Sequence, residues 1–371
     1  MQVNRHFYLG LAERGVRMPI GADLVLHEEP DPEAVRRDGL SLGRVIERAA
    51  RRWNTPLALP LMDLRLEKYD LLALASIPEH EAEAYQFSAP LDEQTMTALC
   101  DVSATSYCAG SLARNQAIAH IASVPGLLPV GMVIGPFSLA TRLMRDPITA
   151  VALTGMGGDE QQSPEIQLLL QCLRASEAAV LRSIRAQVKH GASAIVVCEP
   201  AACTAFFSPR QLKAGSNSFE RFVMGPNQRI RAALELASCD LIFHDCGELI
   251  DSMVADFAER LHPVILSLGS SRKLWDDARL VPADVVLFGN LPSKSFYSDA
   301  AMPIETLANL TRELIDNMQA CGHPHIVGSE CDVLFVPEAQ HAIRAKVDAM
   351  MSCATHAGNA PQQALAGTAQ P

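Results

Sequence analysis

The chain is 371 residues long, 49% hydrophobic, and carries a formal net charge of -11. A surface this acidic repels a phosphate backbone and no basic run offsets it, so a nucleic-acid partner is not expected. No window reaches the roughly 18 continuous apolar residues of a membrane span, the N-terminus lacks a charged segment followed by a long apolar one, and the ten cysteines are not in short-spaced pairs; a cytoplasmic protein with free thiols is expected.

Residues 1–54 read as an N-terminal helical extension. The first strand is expected over Leu57–Met62, ending at Asp63, and another over Leu71–Ile77, although the spacing there suits a helix equally. Leu128–Ile134 reads as a strand that ends at Gly135-Pro136-Phe137, and Pro164–His190 repeats apolar residues at helical spacing. Ala194–Val197 ends at Cys198-Glu199-Pro200, and Leu241–Phe243 ends at His244-Asp245-Cys246. An amphipathic helix over Leu249–Leu261 leads to strands at Pro263–Ser267 and Val285–Phe288, the latter followed by Gly289-Asn290. A helix over Ile304–Ala320 stops near Gly322, His325–Val327 precedes Gly328–Cys331, and Pro337 opens a last helix over Ala339–Met351.

Short apolar runs that alternate with helical segments are the pattern of repeated βα units around a parallel sheet. Eight such strands in one chain favour a closed (β/α)8 TIM barrel over a doubly wound sheet, and no G-x-G-x-x-G fingerprint follows the first strand. The barrel is expected to span residues 55–352, and the Ala-, Gln- and Gly-rich tail at 353–371 is expected to be disordered.

One constellation carries chemistry. In an extended chain residues two apart share a side, so His244 and Cys246 can reach one ion while Asp245 points away. Cys331 lies at another strand end, which a barrel brings to the same mouth. One imidazole and two thiolates suit Zn2+ and leave a fourth position open for substrate, whereas magnesium and calcium prefer oxygen. The competing reading is that these are packed thiols, as the other eight cysteines are taken to be, because free cysteine is among the most buried residue types. Asp63, Gly135, Glu199 and Asn290 end other strands and are candidates for binding substrate; Asp63 can equally cap a helix, and Gly135 and Asn290 can be plain turn residues.

Met62-Asp63-Leu64 with Glu67, Gly135 to Ala140, Ser208-Pro209, His244-Asp245-Cys246-Gly247, Gly289-Asn290-Leu291 and Gly328 to Asp332 before Pro337 together form a pattern. In these residues the chain resembles the uroporphyrinogen decarboxylase superfamily, and within it the zinc-dependent cobamide methyltransferase branch that includes methylcobalamin:coenzyme M methyltransferases. The resemblance implies a barrel whose zinc is held by His244, Cys246 and Cys331, with Glu199, Glu248 or Glu330 as the fourth ligand at rest. It also implies a methylated corrinoid as methyl donor, carried by a separate corrinoid protein, and a small thiol or tetrahydrofolate as acceptor. The Arg-Gln-Ala-Gly-Arg segment that serves substrate carboxylates in the decarboxylase branch has no counterpart here. A decarboxylase-like lyase and a non-catalytic partner of a corrinoid protein are the alternatives.

Overall fold

In the computed structural model, which describes residues 4–353, eight parallel strands form one curled sheet in the order β1-β8-β7-β6-β5-β4-β3-β2. They are β1 (Arg17–Met18), β2 (Leu57–Ala58), β3 (Leu128–Ile134), β4 (Ala194–Cys198), β5 (Asp240–Asp245), β6 (Ile265–Leu268), β7 (Val286–Leu291) and β8 (His325–Ser329). Helices follow the strands and cover the sheet, giving an α/β barrel of the TIM type. All positions of β3 and β4 are buried, as expected of strands covered on both faces, and this is why their sequences read as unbroken apolar runs.

The two ends of the sheet order meet just beyond the strands themselves. Ala22 N donates to Pro60 O at 3.1 Å, and Met62 N donates to the buried Asp23 carboxylate at 3.0 Å. Ile20 N in turn donates to Ser329 Oγ at 2.9 Å, which ties the same segment to the end of β8.

Two sequence expectations are corrected. Leu71–Ile77 is not a strand: Leu66–Leu74 is a helix, and its polar residues Glu67, Lys68 and Asp70 are buried, so no clean apolar stripe marks it. The missing strand is β1, which lies in the segment read as a helical extension and pairs with β8 through Arg17↔Val327 and Met18↔Gly328. Two residues, one of them charged, are too short to show a period of two. The rest of that segment is largely helical; Gly39–Arg52 buries Leu42, Val45, Ile46 and Ala49 and packs against the helix Ala109–Ala122.

The long helix Pro164–Lys189 starts as its sequence suggests, with Pro164 in the first turn and Ser163 Oγ accepting from Ile166 N at 3.3 Å. The helix Ile304–Cys321 ends where Gly322 takes a left-handed conformation, φ 70°. The last helix runs Gln340–Ser352. No helix among the described residues is long and apolar enough to cross a membrane, and of the tail at 353–371 all but Cys353 lies outside the described residues.

Candidate metal centre

His244 is the fifth residue of β5, and the register of the sheet sets its surroundings. Neighbouring strands place Cys198 on one side of it and Ser267 on the other. Ser267 is buried, and its Oγ lies 2.8 Å from His244 Nδ1. The other ring nitrogen, Nε2, is buried and has no hydrogen-bond partner among the described residues. A buried polar atom left without a partner is costly, so Nε2 is available to a ligand.

Cys246 follows the end of β5 and Cys331 follows the end of β8, on either side of the barrel mouth. Their sulfurs share a hydrogen bond at 3.8 Å, and Cys331 Sγ also lies 3.7 Å from Met62 Sδ at the end of the β2 segment. One ligand atom from each of His244, Cys246 and Cys331 lies within 4.8 Å of the others. Both cysteines are half-buried free thiols. Asp245 turns away into the core, where Oδ1 accepts from Gly247 N at 2.8 Å and burial pushes its carboxyl well above the usual range.

The two thiols titrate as a pair. The hydrogen bond shared with Cys331 holds the Cys246 thiol far below the usual range, helped by His244 and Lys294. The same bond, together with burial, pushes Cys331 up. This is how two close thiols behave when one thiolate is stabilised by the other's proton.

Zinc fits this donor set. Two sulfurs each about 2.3 Å from a tetrahedral ion stand about 3.8 Å apart, which is the spacing found for Cys246 and Cys331. For His244 to use Nε2, its Nδ1 carries the proton and donates to Ser267 Oγ, the outer-sphere contact that fixes tautomer and ring orientation.

The remaining sequence candidates are not gathered here. Glu199 is fully buried; its carboxylate accepts from Ser138 N at 2.5 Å, Phe137 N at 3.3 Å and Asn227 Nδ2 at 2.9 Å, so it caps the helix Pro136–Leu143. Burial raises its pKa in spite of those donors. Gly135 serves this cap, because a Cβ there would stand 2.2 Å from Glu199 Oε2. Asn290 Nδ2 donates to Gly269 O and Arg272 O at 2.7 and 2.8 Å, holding the loop after β6 against the Cys246 backbone; a Cβ on Gly269 would lie 2.7 Å from Cys246 O. Asp63 forms a two-point ion pair with Arg65 and lines a cavity of about 130 Å³ beside Arg36 and Tyr69, which none of the three converging residues lines. Of the carboxylates considered as a fourth ligand, Glu248 is exposed and Glu330 accepts from Ser270 N and Oγ at 3.0 and 2.6 Å. The candidate centre thus gathers three residues, with Ser267 beside His244 and Asn290 bracing the loop behind Cys246. Sequence reasoning missed Ser267, because the register that sets it beside His244 is a property of the assembled sheet.

Comparison with known proteins agrees with this architecture. In the solved structure of a methyltransferase from Methanosarcina mazei the same fold recurs, with a TM-score of 0.62 and 17% identity over 92% of this chain and 97% of that one. No curated protein matches the chain. Residues 116–354, more than half of the chain and including β3 to β8 with all three converging residues, match the family described as Uroporphyrinogen decarboxylase (URO-D). The chain belongs to that family.

Proposed function

We propose that this protein is a zinc-dependent methyltransferase, which moves a methyl group from a methylated corrinoid carried by a separate corrinoid protein to a thiol or tetrahydrofolate acceptor. The observation that carries this reading is the meeting of a partnerless buried imidazole nitrogen with two sulfurs at tetrahedral spacing, at the open end of the barrel. The fold shared with a protein described as a methyltransferase supports it further. Zinc held by His244, Cys246 and Cys331 would make a coordinated acceptor thiol available as thiolate near neutral pH.

The chain's own residues do the rest. Ser267 keeps Nε2 of His244 directed at the sulfurs. Asn290 and Gly269 hold the backbone of Cys246 in place from behind. Three protein ligands leave one position free, and the mouth of the barrel is where acceptor and methyl donor can both approach it.

Purified protein is expected to carry about one zinc per chain, and methylcobalamin absorbance should be lost when an acceptor thiol is added. Wild-type methyl-transfer rates from a folded His244→Ala, Cys246→Ala double variant would sink the proposal. Ser267→Ala should keep the fold and weaken zinc binding by about 10- to 100-fold, because the imidazole loses its orienting partner; competition with a chromophoric chelator reads this directly. The family match favours a second reading, decarboxylation on the same barrel. Carbon dioxide release from a porphyrinogen by metal-free protein is the result that would establish it instead.

A further inference from the structure

Met62 has no role in the reading above, yet its sulfur meets the centre at Cys331. Met62 Sδ lies 3.7 Å from Cys331 Sγ, nearly the same as the 3.8 Å that separates Cys331 Sγ from Cys246 Sγ. Both spacings match the edge of a tetrahedron whose sulfurs stand about 2.3 Å from a zinc ion. The backbone that carries Met62 is fixed. Its N–H donates to the buried Asp23 carboxylate at 3.0 Å, and two residues earlier Pro60 O accepts from Ala22 N at 3.1 Å. Asp63, the next residue, is engaged by its two-point ion pair with Arg65. The Met62 side chain is half-buried and packs against the barrel core.

Charge and competition say what such a thioether does. A divalent ion and two thiolates sum to zero, and a fourth donor without charge keeps that sum, whereas a carboxylate there would leave a net negative charge in a half-buried mouth. The carboxylates considered for that place are engaged or exposed: Glu199 is held by three donors in the core, Glu330 by Ser270, and Glu248 faces solvent. A thioether is a soft donor of the kind that suits zinc, and an unbranched methionine side chain adapts its torsions to the space it is given. Being neutral and weak, it does not replace a thiolate ligand, and a thiolate displaces it. We propose that Met62 is the resting fourth ligand of the centre, covering the open position until an acceptor thiol takes it. In that exchange the metal's bond to Met62 Sδ breaks, its bond to the incoming sulfur forms, and the proton of the thiol passes to solvent. The proposal rests on the zinc reading of the centre.

The test uses full-length protein grown with selenomethionine and bound to zinc, so that X-ray absorption at the zinc edge tells a methionine donor from the cysteine sulfurs. About one selenium neighbour per zinc is expected beside the sulfur shell at about 2.3 Å. It should vanish in Met62→Leu, a swap of similar volume that keeps the fold, while zinc content stays at about one per chain. Saturating 2-mercaptoethanol should likewise remove the selenium from wild-type protein and put a sulfur in its place. Zinc bound without a selenium neighbour would overturn the proposal, and so would a selenium neighbour that survives in Met62→Leu or under saturating thiol. A wild-type protein that takes up no zinc overturns the zinc reading itself, and the proposal with it. The two failures are therefore distinct.

Discussion

Cys331→Ala is expected to empty the centre of zinc and to lower methyl transfer by at least about a hundredfold. His244 and Cys246 belong to one strand end, whereas Cys331, the third proposed ligand, comes from the end of β8. Without it two protein ligands remain, fewer than the three that catalytic zinc sites use. The fold should survive, because Cys331 is half-buried and its loop is still held through the backbone contacts of Ser293. Zinc content by mass spectrometry, the methylcobalamin assay and a thermal melt separate these effects. A variant with normal zinc and a normal rate would show that the three ligand atoms meet without purpose.

The largest stability effect should come from a different buried charge. Arg114 Nη1 donates to Glu67 Oε1 at 2.8 Å and to Met132 O at 3.0 Å, and Nη2 donates to Ser183 Oγ at 2.8 Å. Ser183 Oγ also donates to Glu67 Oε1, and Gln187 joins the network through both Ser183 and the Met132 backbone. Glu67 is 0% exposed and Arg114 5%. Arg114→Met leaves that carboxylate without its cation, which should cost about 3–5 kcal/mol. Replacing both partners, in Arg114→Met with Glu67→Leu, removes the stranded charge and should recover much of the loss. Urea titrations with unchanged slope measure the difference. A single variant that loses less than about 1 kcal/mol would mean the pair behaves like a surface contact.

Glu67 also shows where a motif misleads. It belongs to the residues that carry the family resemblance, yet it holds the helix Leu66–Leu74 to its neighbours and to β3 instead of lining the centre. Glu199 is similar: its place at a strand end suggests chemistry, but three donors hold its carboxylate in the core. Position at the end of a strand says which mouth a residue is near. It does not say whether backbone donors reach it first.

Seven of the eight strands are legible as short apolar runs, because strands buried on both faces need apolar residues at every position. The pair His244 and Cys246 is legible too, since their separation by two residues is a local property of extended chain. What the sequence by itself determined is therefore the repeated βα architecture and the residue types offered as candidate ligands. Only the tertiary structure decided that Cys331 comes within 3.8 Å of Cys246, that strand register sets Ser267 beside His244, and that Ser293 pins the turn after β7 to the Cys331 loop. It also decided that Arg17–Met18 is a strand, since its pairing with β8 is written in the partner and not in the segment. These contacts join residues tens to hundreds of positions apart, and such proximity is created by packing the sheet into a barrel, which no local period or spacing encodes.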